Sequence, residues 1–226
     1  MIGAAVRRRR SRRGTDGAGL ESTDRRVIWK SLAVLLDYPE ARHEADLALV
    51  SAALAELAPS VQAQALRDFV TWWSAMGAIE RASVYVATFD MTRRCSLNLT
   101  YYTEGDKRDR GSALLLLKER YEGRGAAAVT SELPDHLPMM LEFAASWPDG
   151  EDLLTGFASA IATLQLALRD SHSPFRILVE TLIDTLPAHQ GDRETPHRLR
   201  EHGPPSAGVR AEAQAVQADA YGEGCR

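Results

Sequence analysis

The 226-residue sequence is poor in several things that would announce a function. It has two cysteines, Cys95 and Cys225, too few for a disulfide framework or a cysteine-rich metal site, and a count that suits a reducing cytoplasm. Basic charge is not in excess. Lys+Arg number 27 against Asp+Glu 31, a formal net charge of -4, so no general positive field argues for nucleic acid. No apolar stretch approaches the ~20 residues needed to span a bilayer. The leucine run Leu114–Leu117 ends at once in Lys118, Glu119 and Arg120. Glycine-rich phosphate loops, the Rossmann fingerprint, the Gly-x-Ser-x-Gly elbow and the His-Glu-x-x-His zinc helix are all missing. Three of the six histidines (His189, His197 and His202) fall near the C-terminus. The spacing of His43, His136 and His172 does not suggest a metal site. Alternating β patterns, hairpin signals and repeats of fixed period are also lacking.

What is present is helical periodicity between two compositionally different ends. "VRRRRSRRG" resembles the basic region of a twin-arginine export signal, but "GTDGAGLESTD" follows where an apolar segment is required. Residues 1–23 therefore read as a disordered basic tail, since clustered like charges repel and nothing nearby can bury. From Asp24 the spacing predicts a helix to Tyr38-Pro39, then helices over Glu44–Leu57, from Ser60 to Gly77 with Ser60 as N-cap, and over Glu80–Phe89. Further helices are expected over Arg94–Tyr102, Gly111–Glu122, Asp135–Trp147, Glu151–Arg169 and Ser173–Leu186. The fold class expected is all-α: one globular helical bundle of about eight to ten helices over residues 24–186. Residues 187–226, rich in Gly, Pro, His and charge, read as a largely disordered tail.

Two tracts carry the chemistry. Ser83–Gly125 mixes aromatics (Tyr85, Phe89, Tyr101, Tyr102, Tyr121) with arginines (Arg93, Arg94, Arg108, Arg110). Such a mixture suits a helical core with a charged rim, or a cleft that receives an amphipathic helix. "SELPDHLPMMLEF", Ser131–Phe143, joins two prolines, an acid, a histidine and large apolar residues. Pro134 fixes its own φ and keeps Leu133 extended. Asp135 is expected to favour the start of the following helix by capping and by its charge. Leu137, Met140, Leu141 and Phe143 suit a core, and Met139 and Met140 also suit a groove that adapts to its guest.

"YVATFDMTRRCSLNLTYYTEGDKRDRG" and "ELPDHLPMMLEF" together resemble the NarJ family of nitrate reductase assembly chaperones, also called the delta subunit. The resemblance runs from about Trp29 to Leu186 and includes "LLDYPE". It is most specific in Phe89-Asp90, Arg93-Arg94-Cys95, Leu99-Thr100-Tyr101-Tyr102, Gly105-Asp106 and Glu132-Leu133-Pro134-Asp135-His136. The last is similar to the Glu-Pro-x-Asp-His signature of the wider molybdoenzyme chaperones. It departs from that signature in placing Leu133 before Pro134 and no residue between Pro134 and Asp135.

That resemblance implies an all-helical cytoplasmic chaperone, not an enzyme. It would bind the apo catalytic (alpha) subunit of a membrane-bound respiratory nitrate reductase, partly through that subunit's N-terminal segment held as an amphipathic helix. Molybdenum cofactor insertion would be supported before membrane docking. No cofactor of the chaperone's own, no specific nucleic acid and no membrane insertion are expected. The resemblance and the rigid proline loop assign client-peptide binding to Phe89, Arg94, Tyr101, Tyr102, Glu132, Leu133, Pro134, Asp135, His136 and Met140. In this reading 133–136 form a rim, Phe89, Tyr101 and Tyr102 a floor, and Glu104, Asp106, Asp109 and Glu132 an acidic edge for a basic guest. The alternatives are a small helical enzyme using Asp135 and His136, and a weak nucleic-acid binder working through Arg7–Arg13. The enzyme reading has no nucleophile and base at a recognisable spacing.

Overall fold

A computed structural model of the chain describes residues 20–40, 42–104, 108–126 and 132–187. Most of both expected tails, together with Gly105, Asp106 and Ser131, lies outside the described residues, as do the side chains of Arg108 and Asp109. The elements are α1 (Ser22–Leu35), α2 (His43–Ala55), α3 (Val61–Ser74), α4 (Ala78–Phe89), a 3-10 turn (Arg93–Cys95), α5 (Thr100–Thr103), α6 (Arg108–Glu122), α7 (Leu137–Ser146), α8 (Gly150–Gly156), α9 (Ala158–Asp170) and α10 (Arg176–Thr185). Among the described residues there is no strand, and the only β feature is an isolated antiparallel bridge between Asn98 and His136. The all-α expectation holds.

α1 is the central element. Ile28, Leu32, Leu35 and Leu36 are buried at helical spacing, and α1 packs along α7 more extensively than any other pair of helices. Each such side chain contributes roughly 1.5–3 kcal/mol through removal from water. The Trp29 indole N–H donates to Thr185 Oγ1 at 2.8 Å, tying α1 to the end of α10. Tyr85 on α4 donates to the Leu36 carbonyl at 3.2 Å, satisfying one acceptor that the end of α1 leaves free. Ser60 caps α3 as expected, its Oγ accepting from the Ala63 N–H at 3.1 Å. Phe69, Trp73, Tyr85, Phe89 and Phe175 form a continuous aromatic cluster joining α3 and α4 to the start of α10.

Three expected helices are corrected. Arg94–Tyr102 is not one helix: the 3-10 turn is followed by an extended stretch to Leu99 and then the single turn α5. Cys95, Leu97 and Leu99 are buried at every second position, the period of an extended chain. Glu151–Arg169 is two helices, broken at Phe157, which ends α8 and begins α9 with φ -105° and ψ 14°. The helix expected from Asp135 begins at Leu137, with Asp135 in the turn before it.

α7 and α8 meet at a point where only glycine fits. A Cβ on Gly150 would lie 2.2 Å from Ala144 Cα and 2.6 Å from its carbonyl oxygen. The Pro148-Asp149-Gly150 turn therefore serves as a close helix contact as well as a reversal.

Candidate functional site

The stretch 132–137 is the hub around which the site is built. Its backbone pairs with the extended chain before α5: the Leu99 N–H donates to the Asp135 carbonyl at 3.0 Å, and the Leu137 N–H to the Leu97 carbonyl at 2.9 Å. Tyr121 on α6 donates to the Pro134 carbonyl at 2.7 Å. Tyr102 places its hydroxyl 2.8 Å from the Arg94 carbonyl and 2.9 Å from that of Ser96, pinning the 3-10 turn to α5. Burial pushes both phenols well above their ordinary pKa, so both stay protonated as donors.

Asp135 is 0% exposed and fully engaged. Asn98 donates its side-chain amide to Oδ1 at 3.0 Å, while Oδ2 accepts from the Thr100 N–H at 3.2 Å and the Thr100 hydroxyl at 2.5 Å. Arg110 Nη2 stands 3.4 Å from the same oxygen, and Arg110 Nε donates to the Thr100 hydroxyl at 2.9 Å. The Arg110 guanidinium lies over the Tyr101 ring at 3.8 Å. This is a clasp joining α5, α6 and the turn before α7, with the buried charge paired and hydrogen-bonded as burial demands. The expected cap of α7 is thus corrected. Asp135 holds the first turn of α5, a helix distant in sequence, rather than its own.

His136, one residue on, faces the other way. It lies on a groove of about 550 Å³ between α1, α2 and the beginning of α7. Val27, Ala33 and Val34 of α1, Leu49, Val50 and Ala53 of α2, and Pro138 and Met139 of α7 supply apolar walls. Leu49 is 70% exposed and Tyr38, on the connection between α1 and α2, 44%. The rim carries five carboxylates (Asp37, Glu40, Asp46, Glu132, Glu142) and two cations (Lys30, Arg42). Lys30 pairs with Glu142 across the α1–α7 seam, and Arg42 with Asp46 at 3.5 Å. Asp37, Glu40 and Glu132 have no ion-pair partner among the described residues.

Two histidines border the groove, and both are held neutral. Burial lowers the His136 pKa, with Glu132 the largest opposing influence. Burial also lowers that of His43, helped by the nearby Arg81 guanidinium. His43 Nε2 accepts the Trp73 indole N–H at 2.7 Å, which leaves its proton on Nδ1. Behind it Arg81, 1% exposed, binds the Met76 carbonyl at 2.9 Å and pairs with Glu44.

The ten residues expected to bind a client peptide are thus divided. Glu132 and His136 line the groove. Leu133 is 42% exposed beside them, and Pro134 is half-buried. Asp135 belongs to the clasp, with Tyr101 under its Arg110 guanidinium, while Tyr102 pins the 3-10 turn on which Arg94 sits. Phe89 is buried against Tyr85 and Phe175, and Met140 is 0% exposed, so neither presents a surface. Of the two adjacent methionines it is Met139 that reaches the groove. The α1 and α2 walls were missed by sequence reasoning. Their signal was apolar residues left over from the buried stripe, Val34 and Leu49.

Asp135 and His136 do not form a catalytic pair, since the carboxylate is consumed by the clasp and the imidazole looks into the groove. Among the described residues no helix is long and apolar enough to cross a membrane, and no group of three or more His, Cys, Asp or Glu side chains is arranged for a metal ion.

A family model described as nitrate reductase delta subunit matches residues 52–176, from the end of α2 to the start of α10. The chain is 35% identical over 127 residues to the probable nitrate reductase molybdenum cofactor assembly chaperone NarJ of Bacillus subtilis (strain 168), covering 56% of this chain and 69% of that protein. It is 34% identical over 154 residues to the nitrate reductase molybdenum cofactor assembly chaperone NarJ of Escherichia coli (strain K12), covering 66% and 65%. It is also 35% identical over 161 residues to the nitrate reductase-like protein NarX of Mycobacterium tuberculosis (strain ATCC 25618 / H37Rv). That match takes in 70% of this chain but 24% of that longer protein.

Proposed function

This chain belongs to the nitrate reductase delta subunit family, and from that premise we propose that it is a cytoplasmic assembly chaperone for the apo catalytic subunit of a respiratory nitrate reductase. In this reading it holds the apo subunit while the molybdenum cofactor is inserted and before membrane docking. The observation that supports it most directly is the α1–α2–α7 groove, apolar along its walls and acidic along its rim. Such a groove suits an amphipathic helix that places anchors at i, i+3, i+4 and i+7 against Val34, Leu49 and Met139, with basic residues toward Asp37, Glu40 and Glu132. Three or four anchors at roughly 1.5–3 kcal/mol each, less the cost of ordering a free peptide, give micromolar to tens-of-nanomolar affinity.

Glu132 and His136 touch the guest in this reading. Leu133 and Pro134 shape the rim, and Asp135, Tyr101 and Tyr102 hold that rim in place. Phe89, Arg94 and Met140 act from beneath it.

The test is calorimetric titration of the full chain with a peptide from the N-terminal segment of the nitrate reductase catalytic subunit. Saturable one-site binding with a negative heat-capacity change, lost in Val34→Glu, is expected. Equal affinity in wild type and Val34→Glu would move the client site away from the groove. Absence of binding to the folded chain would remove the N-terminal segment as client.

A further inference from the structure

The groove's acidic rim has a basic complement within the same chain. Residues 7–13 contain six arginines in seven positions, interrupted only by Ser11. They connect through 14–19, "GTDGAG", to Leu20, which packs against the core just before α1, itself one wall of the groove. We infer that Arg7–Arg13 of this chain occupy the acidic rim of the α1–α2–α7 groove when no client is bound, and that a client must displace them. The inference rests on the groove being the client site, and the tests below separate the two.

Reach permits it. Arg13 lies seven residues before Leu20, a tether that spans up to about 23 Å when extended. α1 is 14 residues long, or about 21 Å. Arg13 can therefore reach along most of α1 once the chain reverses, and Arg7–Arg12, farther along the extended segment, can reach Asp37 just beyond its end. Gly14, Gly17 and Gly19 permit that reversal at little steric cost.

Charge favours it. Asp37, Glu40 and Glu132 have no ion-pair partner among the described residues, while the rim's own cations, Lys30 and Arg42, are already engaged with Glu142 and Asp46. Guanidinium groups match carboxylates in two-pronged geometry. A short tether also supplies an effective concentration on the order of millimolar, enough for a contact that would be weak between separate molecules. The segment lacks large apolar residues between Arg7 and Arg13. It therefore occupies the rim and leaves the apolar walls to the client, whose anchors decide the competition.

The experiment uses the full chain. A photo-crosslinking amino acid is placed at Arg10, and the crosslinked peptides are mapped by mass spectrometry in low salt without client. Crosslinks to the segments bearing Asp37, Glu40 or Glu132, lost in 0.5 M NaCl, are expected. Crosslinks elsewhere, or none, overturn the inference whatever the client proves to be. In parallel, the six arginines are changed to serine and the calorimetric titration repeated. Client affinity rises about three- to tenfold if the tether competes, and unchanged affinity overturns the competition. A chain that binds no peptide in either form but crosslinks into the groove sinks the client reading alone.

Discussion

Asp135 and His136 are neighbours in sequence whose side chains serve opposite sides of one rim. Asp135 is buried among Asn98, Thr100 and Arg110, and His136 looks across the groove toward α1. A single turn of chain therefore both fastens the site and forms part of its surface, and the two roles separate by substitution.

Asp135→Ala leaves Arg110 and the Thr100 N–H without their acceptor. The expected loss is about 3–5 kcal/mol, as for a buried pair broken on one side. Asp135→Asn keeps the shape but loses the charge, and is expected to cost less. His136→Ala loses buried packing but no hydrogen-bond partner among the described residues, so it should cost less than Asp135→Ala, and it should weaken peptide binding. Urea midpoints and titration calorimetry on the three variants decide this. Equal stability of Asp135→Ala and wild type would dissolve the clasp.

His43 and His136 make stability fall in mild acid. Burial holds both below the ordinary histidine value of about 6.5, so the unfolded chain binds more protons than the folded one just below that pH. The sign follows: their contribution is complete above pH ~6.5 and is lost as pH falls from there through the folded-state values. The urea midpoint of wild type should therefore drop between pH 7 and pH 5. His43→Gln, whose carbonyl can still accept from Trp73, should show a shallower drop. A pH-independent midpoint in wild type contradicts this.

Gly150→Ala forces a methyl group into the Ala144 backbone of α7, which cannot give way as a flexible side chain would. Destabilisation of about 2 kcal/mol or more is expected, visible as a lowered thermal midpoint. Gly77→Ala, where a Cβ meets nothing within 4 Å, is the control and should change the midpoint little.

Salt and rim charge report on the groove's electrostatics. Glu132→Lys should weaken a basic peptide by a few-fold at 0.05 M salt and flatten the salt dependence of its binding. A steep, unchanged salt slope in that variant would place the attracting charge elsewhere.

Much of the fold is legible in the sequence, because most helices carry an apolar stripe at 3.6-residue spacing and end at proline or glycine. The errors have physical reasons. Cys95, Leu97 and Leu99 announce an extended segment, but the flanking arginines and tyrosines fit helical spacing too, and tertiary pairing with 135–137 decides the matter. The break at Phe157 follows Gly156, a weak helix former whose effect on a long apolar pattern propensity alone does not settle. The stretch 133–136 was expected from sequence to form a rigid rim, and the structure places Glu132 and His136 on the groove. Its division of labour was not legible, since which of Asp135 and His136 points inward depends on Asn98, Thr100 and Arg110. The groove is a composite of three segments, and no local pattern encodes the gap between them.

The pairing of α1 with α7 has a consequence for how the protein is made. Lys30 and Glu142, which face each other across that seam, are 112 positions apart, and Trp29 meets Thr185 across 156. A chain rich in local helices thus defers its most extensive pairing until late, when the loop entropy of a long separation must be met at once. During synthesis α1 emerges early, and the groove is not complete until α7, more than half the polypeptide later, has followed. A nascent chain stalled before α7 would leave uncovered the side of α1 that α7 packs against, making it a substrate for the cell's general folding machinery before it can assist any other protein.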